Sequence, residues 1–119
     1  MTLEQVADEL NIDLTDVRER MLDKRELVIR LLKAFADDDT NIERAKQALD
    51  DEDYQVVVEN IHSMKGGAVS LGLESVEMFC AEVLSAVHDK YFSAVPELLR
   101  KVEQEYCYVS QIIKQEEIQ

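Results

Sequence analysis

Tryptophan is absent from the 119 residues, proline occurs once and glycine three times. Those two residues punctuate turns and loosely structured tracts. A chain with so few of them and 46% apolar content is therefore not a disordered linker. Cysteine is nearly missing too. Cys80 and Cys107 lie far apart, make no Cys-x-x-Cys pair and fit apolar helical positions, so both read as reduced packing residues. No stretch approaches the ~18 apolar residues of a spanning helix, and the opening MTLEQVADEL has neither a basic start nor a long apolar core. Positive charge is scarce as well: 13 basic residues face 26 acidic ones, for a net charge of −13. Such a field repels nucleic-acid backbones and anionic lipid, so neither nucleic acid nor membrane is an expected partner. A cytoplasmic location is expected.

What is present is a period. Apolar residues recur at spacings of three and four throughout, and no segment alternates with period two for long, which predicts an all-α protein. The length suits one domain, residues 1–119, around one core. Thr2 with Gln5 forms a capping box for a short helix to Leu10, Asp13 caps a second through Met21, and Asp23 with Glu26 opens a third. The face of that third helix includes Leu27, Leu31 and Phe35, with Val28 and Leu32 beside them. The acidic run at residues 37–39, followed by Thr40 and Glu43, either ends this helix and starts another through Ile42, Ala45 and Leu49 or merely kinks it. Residues 50–53 make the next turn, and Asp53 caps the helix that carries His62. Leu73, Val76, Phe79, Cys80, Val83 and Val87 define an antiparallel partner helix. Ser93 caps the last helix, Pro96 falls in its first turn, and Leu98, Leu99, Val102, Tyr106, Val109 and Ile113 carry its apolar face.

The chain is organised around residues 60–72, NIHSMKGGAVSLG. At about 100° per residue, Tyr54, Val57, Ile61, Met64, Ala68 and Leu71 share one stripe, the face to be buried. His62 lies roughly 140° from the centre of that stripe and so points outward. Gln55, Val58, Glu59, Lys65, Gly66 and Val69 surround it on the exposed face, with Lys65 and Gly66 nearest, one turn on. Two adjacent glycines inside a helix each cost about 1 kcal/mol relative to alanine, so something other than folding favours them. Gly66 leaves room beside His62 for an approaching group, Gly67 faces sideways where a neighbouring helix comes close, and Gly72 terminates the helix.

The run His62-Ser63-Met64-Lys65-Gly66-Gly67-Ala68, followed by Leu71-Gly72, resembles the phosphorylation motif of histidine phosphotransfer (HPt) domains. Ile12-Asp13, then Arg25-Glu26-Leu27 and a helix to Phe35, is similar to the lead-in of bacterial members. The resemblance implies an antiparallel up-down four-helix bundle with one or two short N-terminal helices packed on it. It implies a phosphoryl carrier that accepts on His62 from a receiver-domain aspartate and passes the group to another receiver. The partners would be the receivers of a hybrid sensor kinase or a response regulator, with Mg²⁺ on the receiver and no cofactor on this chain, which is expected to be a monomer. Gly67 stands where many members have serine, and Leu84 where many have a Gln or Glu that orients the imidazole; Ser85 or Glu82 is an alternative orienting group.

The chemistry suits these residues. A neutral imidazole has an unprotonated nitrogen able to attack phosphorus, and Lys65 supplies one positive charge for the oxygens of a loose transition state. No Gly-rich phosphate loop is present, so autophosphorylation from ATP is not expected. His88, without a lysine three on or glycine neighbours, reads as an ordinary solvated histidine. Val58 and Val69 read as parts of a docking patch. Two other classes compete. Glu59 and His62 form a Glu-x-x-His pair as in di-iron bundles, but Ser85 precedes His88 by three, so no second pair exists. A helical adaptor with an incidental histidine is the other.

Overall fold

The computed structural model describes residues 1–115 and 117–119. Its helices are α1 (Leu3–Glu9), α2 (Leu14–Arg20), α3 (Arg25–Asp37), α4 (Thr40–Asp50), α5 (Tyr54–Leu71), α6 (Glu74–His88) and α7 (Val95–Lys114), with a 3₁₀ turn at Phe92–Ala94 before the last. Among the described residues there is no strand. α5 packs between α4 and α6, α6 against α7, and α7 against α3, which closes a ring. α3 and α4 act as one broken column of that ring. The Tyr106 hydroxyl of α7 donates to the carbonyls of Phe35 and Ala36 at 3.1 and 3.0 Å, and Lys46 of α4 reaches Glu103 further up α7 at 2.6 Å. The result is a four-column helical bundle.

The break settles the choice between one kinked helix and two. Asp38 is extended (φ −101, ψ 93), and its carboxylate accepts the Thr40 N–H at 3.0 Å, so the chain restarts there. Hydrogen bonding from Thr40, side chain and backbone, holds the Asp38 carboxyl below its ordinary range. The core runs through every helix, from Leu3 and Val6 to Val109 and Ile113. Along α3 the buried stripe is Val28, Leu32 and Ala36. That stripe takes in Val28 and Leu32 of the expected broad face, centred one residue on from Leu27, Leu31 and Phe35. Leu31 and Phe35 are half-buried because they flank an open cleft rather than a packed interface.

α1 and α2 cover the end of the bundle at which α5 stops. The Thr2–Gln5 capping box is present in both directions, at 3.1 and 2.8 Å, and Asp13 accepts from the Asp16 N–H at 3.1 Å. Arg20 donates to the Ser70 carbonyl, and Arg25 binds both Glu4 and the carbonyl of Gln119, which ties α1, α3 and the chain end together. Two expected caps are absent. Asp23 does not open α3; it sits in a left-handed turn (φ 58) and pairs with Arg18 at 3.0 Å, while Lys24 occupies the cap position without a side-chain bond. Ser93 lies inside the 3₁₀ turn, so α7 starts after Ala94, with Pro96 in its first turn as expected. Cys80 is buried, but Cys107 is exposed on α7 rather than part of the core.

Candidate functional site

α5 packs along both α4 and α6, and its ends are well made. Asp53 accepts from the Val56 N–H at 3.3 Å, and Gly72 closes the C-terminus in the left-handed region (φ 70). Leu73 N–H returns to the Ala68 carbonyl at 2.9 Å, completing the turn into α6. Between these ends Val57, Ile61, Met64, Ala68 and Leu71 are buried, with Tyr54 half-buried, as the wheel requires. His62 is consequently exposed, along with Gln55, Glu59, Ser63, Gly66 and Val69, while Val58 and Lys65 are half-buried.

The two glycines differ. A Cβ at Gly66 would have no neighbour within 4 Å, so the space beside His62 is open solvent. A Cβ at Gly67 would stand 3.5 Å from the Phe35 ring of α3, an ordinary contact, so this glycine does face the neighbouring helix. Past Gly67 lies a largely apolar cleft of about 440 Å³, whose walls include Leu31, Phe35, Ser63, Gly67 and Ser70. It runs between α3 and α5 on one flank of His62. The small residues Ser63, Gly67 and Ser70, one helical turn apart on one side of α5, are the sequence signal for it.

Lys65 lies on the other flank, towards α6. Burial pushes the Cys80 thiol up to about 12, and the nearby Lys65 ammonium partly opposes that. Neither Lys65 nor His62 forms an ion pair or side-chain hydrogen bond with any described residue. Leu84 packs against the core, and Glu82 and Ser85 are exposed, so no side chain of α6 hydrogen-bonds the imidazole. Among the described residues no three His, Cys, Asp or Glu side chains converge as a metal-ligand set, Glu59 and His62 included. Nor is any described helix long and apolar enough to cross a membrane.

An exposed histidine, a lysine one turn on, open space at Gly66 and a helical bundle beneath them make the comparison with known families decisive. The family model "Hpt domain" matches residues 27–112. The chain belongs to the Hpt domain family. Hpt domains are the histidine phosphotransfer modules of two-component phosphorelays. The match begins in α3 and ends in α7, so it covers the four columns, while α1 and α2 lie outside it. No curated protein and no solved structure matches the chain. One feature of this Hpt surface is an aromatic corner: Phe92, in the turn before α7, stacks on Tyr54 of α5 with ring centroids 4.2 Å apart, and the exposed Tyr91 precedes it in that turn. Helical periodicity places Tyr54 on the α5 stripe but gives no role to the adjacent aromatics Tyr91-Phe92.

Proposed function

We propose that this Hpt domain carries a phosphoryl group on His62, taken from the aspartyl phosphate of one receiver domain and delivered to the aspartate of another. The observation that carries the reading is the empty space at Gly66 beside an exposed imidazole with Lys65 one turn away. In the forward step an unprotonated ring nitrogen attacks phosphorus, the N–P bond forms, the P–O bond to the receiver's aspartate breaks, and a carboxylate leaves. The proton of the imidazole's other nitrogen is free to pass to solvent. Lys65 offsets charge on the transferred oxygens, while Gln55, Val58, Glu59, Gly66 and Val69 form the contact surface, and Gly67 and Gly72 shape the helix that presents it. Mg²⁺ is assigned to the receiver, and this chain acts as a carrier without its own ATP chemistry. A monomer fits a net charge of −13, which opposes self-association.

The lack of a hydrogen bond from α6 to His62 favours one rival, an adaptor that binds receivers without accepting phosphate. Incubation with a panel of phosphorylated receiver domains from the same genome separates the two. A carrier acquires acid-labile, alkali-stable label and discharges the receiver; an adaptor binds without either.

A further inference from the structure

Few large apolar side chains of this protein are left in water, and three of them flank the His62 face: Tyr91 is 67% exposed, Val69 40% and Phe92 38%. Tyr91 and Phe92 stand in the turn between α6 and α7. Lys90, in the left-handed region (φ 61), reverses the chain there, and the Tyr91 N–H closes onto the Ala86 carbonyl at 2.8 Å. Phe92 lies against Tyr54 with ring planes 26° apart. Tyr54 precedes His62 by eight residues on α5, a distance of about 12 Å along the helix, and is turned about 80° towards the Lys65 side. Val58 lies between them, and Val69 is about 10 Å beyond His62 in the other direction. The nucleophile and its polar neighbours thus sit between apolar anchors.

Each side of a standard protein interface covers about 800 Å², a disc of about 16 Å radius. A protein centred on His62 therefore reaches the aromatic corner without being unusually large. Aromatic side chains carry a disproportionate share of interface energy, and exposed clusters of them mark contact sites. The surroundings are mostly acidic: Asp51, Glu52, Asp53, Glu59 and Asp89 are all exposed, against Lys90 in the turn and Lys65 on α5. A second copy, carrying the same charge of −13, is a poor occupant. An apolar side chain flanked by lysine or arginine is a good one.

We propose that Tyr54, Phe92 and Tyr91 form a docking anchor for the receiver that exchanges phosphate with His62, and that this corner sets which receivers are accepted. The inference rests on His62 being the acceptor. Its occupant is a receiver with an exposed apolar side chain bordered by basic residues about 12 Å from its active-site aspartate.

The test uses Tyr91→Ser, Phe92→Ser and the double variant, each labelled by two donors. Phosphoramidate is a small donor that needs no docking: its P–N bond breaks, ammonia leaves, and the phosphoryl group moves to His62. Phosphorylated receivers from the same genome are the second donor. Phosphoramidate labelling should match wild type in every variant. Transfer from at least one receiver should lose about tenfold or more in kcat/KM, carried by KM. Tyr91→Ser serves as the variant least able to disturb the fold, since that side chain is mostly in water. Wild-type KM for every receiver in the double variant, with normal phosphoramidate labelling, overturns the anchor while leaving the carrier intact. Failure of both donors to label the wild-type protein overturns the carrier reading, and the anchor with it.

Discussion

Gly66 is the position at which folding and function should pull in opposite directions. In an exposed helix interior, glycine to alanine is worth about 1 kcal/mol of added stability. The structure removes the usual objection, because a Cβ there meets nothing within 4 Å and the backbone is helical. Gly66→Ala should therefore raise Tm, by about 3–5 °C for a domain of this size. The same Cβ lies within about 40° of His62 around the helix, in the space a receiver's active-site loops must enter for in-line attack. Misplacement of the reacting groups by about 1 Å can cost a hundredfold in rate. Transfer from a phosphorylated receiver to Gly66→Ala should thus slow, and transfer to Gly66→Gln should slow further, while labelling of both by phosphoramidate is kept. Thermal melts and single-turnover transfer on the same preparations provide both numbers. A Gly66→Gln protein that exchanges phosphate with its receiver at the wild-type rate would show that no partner packs over this face.

Three further outcomes are expected from the local geometry. Gly72→Ala places a Cβ 3.0 Å from Val17 Cγ2 at a φ of +70, so it should destabilise by about 2 kcal/mol and lower Tm by several degrees; an unchanged melt would refute the strain argument. Glu52→Gly should do the reverse, by about 0.5–1 kcal/mol, because Glu52 holds φ 54 at the end of α4 and its replacement relieves a left-handed residue; chemical denaturation reads the difference. Lys65→Ala should cost about 1 kcal/mol in the transfer barrier or in phosphohistidine lifetime, about fivefold, with helicity unchanged in circular dichroism, and equal lifetimes in the two proteins would remove its electrostatic role.

The buried faces of α5, α6 and α7 were legible because each stripe is continuous: Val57, Ile61, Met64, Ala68 and Leu71 meet the core as the helical period demands. The same wheel placed His62 in solvent. The family motif was legible because its spacing is local. What periodicity could not supply is mostly turn chemistry. α1, α4 and α6 run into left-handed residues that are not glycine, namely Asn11, Glu52 and Lys90. In each the next N–H returns across the turn, as from Ile12 to Ala7 and from Asp53 to Ala48, both at 2.8 Å. With no glycine to announce them, such endings leave little mark. Asp23 misled for the same reason: an acidic residue three before Glu26 looks like a cap, but left-handed Leu22 and Asp23 displace the start of α3 to Arg25. On α3 the burial of Val28 and Leu32 was legible, but not that Leu31 and Phe35 border a cleft, which only the tertiary arrangement reveals. Cys107 looked like a core residue and is not, since two neighbouring positions, Tyr106 and Val109, take the buried face of α7.

The most direct measurement is the site of the phosphoryl group itself. The wild-type protein, His62→Gln and His88→Gln are labelled with a phosphorylated receiver and digested under alkaline conditions that preserve phosphohistidine, and the labelled peptide is located by mass spectrometry. One phosphoryl group is expected, on His62, present in His88→Gln and absent from a folded His62→Gln. Label retained by His62→Gln, or lost from His88→Gln, would contradict the assignment of His62 as the acceptor.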